Sequence, residues 1–377
     1  MGRGIAHQIS ITPGMRLGWL ADTDLAQAGK LSAETKCESF GESCLSLIAS
    51  QKVDVVVEAT NSIWDAFQYC EAAIRNGSHV VLMNAEVDLA FGVYLKKLAD
   101  EYEVIVTSDA GDQHGVLATM IEEVQMWGFD IVQAGNMKGF LNRYATIESL
   151  LYEAEKRQLN PIQCCSYTDG TKMNIEMALL SNAYGYQPSQ VGMKGPKLKR
   201  VEEVLGAFDF NESQPTGEVD YILGAEPGGG VYLVGRCDHP VQMPYLEYYK
   251  LGDGPYYLFF RPYHLCHLET PRAIAKAVLY GEAVLQPWVG RIADVYAFAK
   301  SDAVAGSEIK HGIGDDLVYG QIVSVNEVQD AVPVTMLDSP GLVTLKRSIV
   351  KDQMITWEDV EWADRSMVDF FLAQTVI

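Results

Sequence analysis

Basic residues are scarce in this chain. Its 377 residues carry 29 Lys and Arg against 50 Asp and Glu, a net charge of -21. Nucleic acid and anionic membranes select basic surfaces, so neither is expected as a partner. A small anionic substrate stays open, because a pocket can be locally positive. Long apolar runs are also missing: none reaches the ~18 to 20 residues that span a bilayer. The N-terminus has no hydrophobic signal core. The seven cysteines are odd in number, no CxxC pair occurs, and only Cys164 and Cys165 are neighbours. That pattern predicts reduced thiols in a cytoplasmic protein without structural zinc, and no metal-ligating residue is assigned. Internal repeats and low-complexity tails are absent too.

What is present is enough for several cores. Apolar residues make up 48% of the chain, ordinary for a globular protein. The length predicts two or three domains. In the first third, strand-like and helix-like runs alternate. Met15 to Ala21, Asp54 to Glu58, His79 to Met83 and Val104 to Ser108 read as strands. Asp24 to Leu31, Trp64 to Asn76 and Leu89 to Glu101 read as helices. Such alternation predicts an α/β domain with parallel strands and helical crossovers.

Polar, small residues follow three of these strands: Thr60-Asn61-Ser62, Asn84-Ala85-Glu86 and Asp109-Ala110-Gly111-Asp112-Gln113. Ligands bind at the carboxyl edge of open α/β sheets. Helix caps and turns use the same residue types, but the repetition favours a ligand edge. The opening Met1-Gly2-Arg3-Gly4-Ile5-Ala6 looks like the end of a dinucleotide fingerprint, with Gly2 and Gly4 at a helix start. The strand and first glycine that precede such a fingerprint are missing. That predicts either a chain lacking its true N-terminus or a degenerate cofactor domain. Asp22 sits at the end of the next strand, where an acid meets ribose hydroxyls and repels the extra phosphate of NADP. Asp22-Thr23-Asp24 contains no arginine, so NAD(H) is favoured over NADP(H).

From Ala134 onward the pattern changes. Leu205 to Gly230 reads as an insertion or loop, Tyr256 to Glu269 opens as a buried aromatic strand, and Pro271 to Val289 reads as a helix. Arg261, His264, His267 and Glu269 could reach a site, although His267 and Glu269 fit an interface better. Between Ala303 and Glu361, short β-type runs alternate with Gly and Asp turns, among them Val332 to Met336. This predicts a small β-rich domain. The expected boundaries are 1–133, 134–300 and 301–377.

Two stretches concentrate chemistry: Ala134-Gly135-Asn136-Met137-Lys138-Gly139 and Tyr167-Thr168-Asp169-Gly170-Thr171-Lys172-Met173-Asn174-Ile175-Glu176. Lys138, Lys172, Asp169 and Glu176 together can bind, orient and protonate a small oxygenated substrate. A surface pair between Lys172 and Glu176, four residues apart on a helix, is the plainer alternative. The run Lys194, Lys197, Lys199 and Arg200 reads as a solvated loop before a phosphate site.

These motifs, with Val57-Glu58-Ala59-Thr60, Arg261-Pro262-Tyr263-His264-Leu265 and Ile355-Thr356-Trp357-Glu358-Asp359-Val360, carry a resemblance over nearly the whole chain. It resembles the homoserine-dehydrogenase-like oxidoreductases with a C-terminal SAF domain, which include the deoxyxylulose-phosphate-reductoisomerase-like enzymes. The resemblance implies a Rossmann domain, an α+β substrate domain and a terminal β-clip. It implies that NAD(P) is held by Gly2 and Gly4 at the pyrophosphate and by Thr60 and Asn84 on the nicotinamide side, beside the Asp22 position read above. Lys138, Lys172, Asp169 and Glu176 would then be catalytic, with Asn136, Asp112, Arg261 and His264 on the substrate. The implied reaction is hydride transfer to or from a polyhydroxylated, sugar-derived substrate, with or without a phosphate, and with or without a skeletal rearrangement. Homoserine dehydrogenase itself and a cofactor-impaired, non-catalytic homologue are the alternatives. A homo-oligomer is expected, since the SAF domain suggests association or covering of the active site.

Overall fold

The computed structural model describes residues 1–40, 44–157, 159–211 and 216–375. The chain divides into two compact units, Met1–Gly115 with Leu265–Gln286, and Val116–His264 with Pro287–Ile377. The segment 265–286 thus belongs with the N-terminal part, while 116–264 and 287–377 make up one unit.

The first unit is α/β. Its strands are β1 (Trp19–Ala21), β2 (Glu38–Phe40), β3 (Val55–Glu58), β4 (His79–Leu82) and β5 (Val106–Ser108). β1 and β2 pair in parallel, and β3, β4 and β5 form a separate parallel sheet in that order. The helices are α1 (Gly2–Ile11), α2 (Leu25–Thr35), α3 (Cys44–Ser50), α4 (Trp64–Arg75) and α5 (Ala85–Glu101), followed by α6 (Gln113–Met126). β4 is the central strand of its sheet, and Val80, Val81 and Leu82 on it are fully enclosed. A parallel strand covered on both faces reads as a continuous apolar run, as here.

The returning segment is stitched to this unit at both ends. The N–H groups of Val284 and Leu285 donate to Thr107 Oγ1 at 2.8 and 3.3 Å, and Ser108 N–H donates to the Leu285 carbonyl at 3.0 Å. Cys266 N–H donates to the Gly111 carbonyl at 2.9 Å. The expected helix from Pro271 to Val289 is shorter: it covers Thr270–Ala275, widens into a π-turn over Lys276–Tyr280 and stops at Gly281, whose φ is 66°. Glycine is the residue that takes this left-handed stop without strain.

The second unit is built on a five-stranded sheet, order β10-β9-β6-β8-β7. These are β6 (Asp130–Lys138), β7 (Gln187–Pro188), β8 (Glu218–Leu223), β9 (Val231–Arg236) and β10 (Tyr256–Arg261). β8 lies inside the stretch expected to be a loop. It pairs in parallel with β6, and four of its six residues are buried, so no clean alternation marks it in the sequence. Residues 212–215 of that stretch lie outside the described residues. Helices α7 (Ile147–Arg157), α8 (Pro161–Thr168) and α9 (Thr171–Tyr184) follow β6. Every residue of α9 from Thr171 to Ala183 except Lys172 is buried, as in a helix enclosed on all sides.

The remaining strands are β11 (Ala293–Ala299), β12 (Glu308–Ile309), β13 (Val318–Ser324), β14 (Val343–Leu345) and β15 (Val360–Trp362). β11 pairs antiparallel with β13, and β12-β14-β15 form a small antiparallel sheet. The run at Val332–Met336, expected to be β-like, instead makes a 3-10 turn over Val334–Asp338. Two polar side chains of α9 hold β13 in place. Thr171 Oγ1 accepts from Gly320 N–H at 2.8 Å, and Asn174 Oδ1 accepts from Ile322 N–H at 2.9 Å.

Candidate active site

β6 has two different faces. Met137 points into an apolar cluster with Ile222, Tyr232 and Val234. Side chains alternate along a strand, so Asn136 and Lys138 project to the opposite side. There Asn136 Nδ2 donates to Glu176 Oε2 at 3.0 Å, and Lys138 Nζ lies 3.8 Å from the same oxygen. Asn136 and Glu176 are buried, while Lys138 is half-buried. Asn136 Oδ1 is enclosed and has no hydrogen-bond partner. A buried acceptor without a partner costs about 1–3 kcal/mol.

Gly135, next to Asn136, leaves room for a ring. A Cβ there would sit 2.4 Å from Tyr232, whose hydroxyl donates to Gln133 Oε1 at 3.0 Å. The glycine thus belongs to the motif for packing reasons on one face, while its neighbours face the chemistry on the other.

Asp169 ends α8 and precedes Gly170, the left-handed N-cap of α9 with φ 88°. Its carboxylate accepts from Thr171 N–H at 2.8 Å and lies 2.9 Å from Lys300 Nζ. Lys300 also donates to the carbonyls of Ala145 at 2.7 Å and Asp315 at 2.6 Å, and it lies 3.3 Å from Cys165 Sγ. Burial pushes Asp169 up, and the ammonium of Lys300 pulls it back. Burial also pushes the Cys165 thiol up to about 11, against the pull of Lys300. The thiol is therefore protonated at neutral pH and is a poor nucleophile. Sequence reasoning missed Lys300. Its signal was a lone lysine closing β11, a strand whose seven residues are all buried.

Next to this pair is a cavity of about 180 Å³, lined by Asp169, Gly170, Asn174, Arg143, Tyr221 and Tyr319 among others. Its wall residues Tyr221 and Leu223 on β8 are the cross-strand partners of Asn136 and Lys138 on β6. Adjacent strands lie about 4.8 Å apart, so Asn136 and Lys138 sit one strand away from that part of the wall. Among the remaining candidates, Lys172 is half-buried in the first turn of α9. Arg261 ends β10 in the row of Asn136, since Val231 pairs with both, and its guanidinium stacks 4.7 Å from the Tyr263 ring centre. His264 is half-buried in the second unit, and Asp112 is half-buried in the first.

In the first unit, Gly2, Asp22, Thr60 and Asn84 lie at the start of α1 and at the carboxyl ends of β1, β3 and β4. A Cβ at Gly2 would meet nothing within 4 Å, so the start of α1 is open. Asp22 is exposed and holds a turn through Asp24 N–H at 2.9 Å, while Asp24 caps α2. These two positions fit the needs of a dinucleotide, an open helix start and a strand-end carboxylate. Gly4 has another reason to be glycine: a Cβ there would lie 2.7 Å from the His267 ring. Asn84 caps α5 through Val87 N–H at 3.3 Å and donates to the carbonyls of Thr60 at 3.1 Å and Ser62 at 3.0 Å. It ties two edge loops together.

All seven cysteines are free thiols. Among the described residues, no helix is long and apolar enough to cross a membrane.

The family described as the oxidoreductase DRL catalytic domain matches residues 111–270, which hold the β6 and α9 motifs. No curated protein matches the chain. Several solved structures are similar at low identity. A probable dehydrogenase from Thermotoga maritima is 14% identical over 77% of this chain and 89% of its own, with a TM-score of 0.47. A UDP-N-acetylglucosamine 3-dehydrogenase from Acidithiobacillus ferrooxidans is 15% identical over 77% and 90%, with a TM-score of 0.41. A biliverdin reductase from Synechocystis sp. PCC 6803, in complex with biliverdin and NADP+, is 13% identical over 76% and 90%, again at 0.41. Likenesses this distant say nothing about the substrate of this chain. Residues 111–270 are thus similar to the catalytic domain of the oxidoreductase DRL.

Proposed function

We propose that this protein is an NAD(P)-dependent oxidoreductase acting on a small hydroxylated, sugar-derived substrate, with Lys138 handling the proton. The observation that carries this reading is the Asn136–Lys138–Glu176 cluster on β6 and α9, inside the matched oxidoreductase domain.

Gly2 and Asp22 would hold the dinucleotide, the first by leaving a helix start open to the pyrophosphate and the second by accepting from ribose hydroxyls. The exposed carboxylate of Asp22 disfavours a 2′-phosphate, so NAD(H) is the preferred form. The bound nicotinamide supplies or takes the hydride. Lys138 meets the oxygen of the reacting carbon. In the reducing direction its ammonium stabilises the developing alkoxide and then delivers a proton from Nζ. In the oxidising direction the neutral amine removes that proton. Glu176 holds the ammonium in place through Oε2, and Asn136 clamps that carboxylate by donating from Nδ2. Asp169 acts one step away: with Lys300 it fixes the α8–α9 junction from which Glu176 is presented.

Resemblance extends the reading to the homoserine-dehydrogenase-like enzymes with a terminal SAF domain, and it leaves room for a reductoisomerase. The test is a calorimetric titration with NADH and NADPH on wild type and Asp22→Ala. Wild type should favour NADH, and the variant should narrow the gap by about tenfold, the scale of one lost charged contact. Absence of binding by either cofactor would refute the proposal.

A further inference from the structure

The segment that returns to the first unit joins the loop after β5 to the start of α1. Leu265 to Glu269 forms a tight turn, closed by Leu265 N–H on Glu269 Oε1 at 3.0 Å and by Leu268 N–H on the Leu265 carbonyl at 2.9 Å. On one side Cys266 N–H donates to the Gly111 carbonyl at 2.9 Å. The approach is so close that a Cβ on Gly111 would collide with the Cys266 backbone. On the other side the turn meets α1. A Cβ on Gly4 would lie 2.7 Å from Cγ and Cδ2 of His267 and 2.9 Å from its Nδ1. Ile274, in the helix that follows the turn, packs against the cluster of Ile5, Ile9 and Met83 and holds the segment on α1.

His267 thus brings an imidazole to the first turn of α1. Its side chain is half-buried, and neither ring nitrogen has a hydrogen-bond or ion-pair partner among the described residues. The ring atoms nearest Gly4 are Cγ, Cδ2 and Nδ1, so Nε2 is the far corner of the ring. A ring placed only to fill the space over Gly4 would need no nitrogen. Imidazole carries at least one N–H donor in either protonation state, and one already fixed by packing loses little freedom when a ligand arrives. Arg3, the arginine of the same helical turn, is engaged elsewhere, 3.5 Å from Glu34.

We propose that His267 is a cofactor contact, its imidazole N–H donating to the dinucleotide pyrophosphate beside Gly4. This rests on the reading of Gly2 as the pyrophosphate end of the cofactor site, and it adds a recognising side chain from far along the chain. Two glycines then share one explanation. Gly4 lets the ring come close to the helix, and Gly111 lets the turn that carries the ring be fastened to the sheet edge.

The experiment is a calorimetric titration of the full chain with NADH and with ADP-ribose, which keeps the pyrophosphate and lacks the nicotinamide. Wild type should bind both. His267→Phe keeps a ring against Gly4 and removes the donor, so it should weaken both ligands about ten- to a hundredfold, the scale of one hydrogen bond to a charged group. A melting curve verifies that the variant is folded; if it is not, His267→Ala, with neither donor nor bulk, carries the comparison. Equal binding by wild type and variant would overturn the contact and leave the cofactor reading standing. A loss confined to NADH would overturn it too, because the contact would then be on the nicotinamide half. A wild type that binds neither ligand would overturn the cofactor reading and the contact together.

Discussion

Lys300 Nζ lies 2.9 Å from Asp169 Oδ2, and both side chains are sealed from solvent. The pair joins the end of β11 to the junction of α8 and α9, far apart in sequence. Two carbonyls complete the shell of the ammonium, and Thr171 N–H completes that of the carboxylate. A buried ion pair offsets its desolvation only with such extra partners.

Removing one partner should therefore be costly. Lys300→Met is expected to destabilise the second unit by about 3–5 kcal/mol, because it strands a buried carboxylate. Adding Asp169→Asn should recover part of that loss. Urea unfolding of both singles and the double gives the coupling, and additive losses would contradict the pairing.

Gly135→Ala should destabilise by about 1–3 kcal/mol, the usual range for overpacking. The new methyl meets the Tyr232 ring, which is enclosed and pinned by Gln133. Tyr232→Ala in the same background should relieve the clash, visible as a smaller combined loss than the sum of the singles. A wild-type melting temperature for Gly135→Ala would contradict this packing.

Asp109 at the end of β5 gives a pH signature. Burial pushes its carboxyl up from 3.8 to about 7, although Gly111 N–H donates to it at 2.7 Å. The folded state then keeps a proton that the unfolded chain releases above its ordinary value. Stability from this group is present below about pH 4 and is lost as pH rises toward about 7. Asp109→Asn keeps the acceptor and removes the titration. It should gain about 2–4 kcal/mol over wild type at pH 8 and little at pH 4. An equal difference at both pH values would mean that Asp109 does not titrate in this range.

Local pattern made much of the first unit legible. The Val55-Val56-Val57 run, the His79 strand and the helix from Trp64 lie within a residue of their expected bounds. α5 begins at Ala85, earlier than the Leu89 start expected, because Asn84 caps it and adds a turn. Strand β8 was hidden because turn residues on either side outweigh its short apolar run, and its pairing with β6 and β7 makes it a strand. In the site, Lys138, Asn136 and Glu176 could be named from their motifs, and the structure brings them together. Lys300 could not, since it acquires its meaning from residues far along the chain. Thr171 and Asn174 were read as parts of a chemical motif, whereas their side chains bind the backbone of β13.

The measurement closest to the central claim is NADH oxidation at 340 nm, tested over a panel of small ketoses, hydroxyaldehydes and their phosphates, for wild type and Lys138→Met. Wild type should turn over at least one of them, and the variant should lose about 10²- to 10⁴-fold in kcat, the usual contribution of a general acid, with NADH affinity unchanged. A variant that keeps the wild-type rate, or a wild type that oxidises NADH with none of them, would contradict the role given to Lys138.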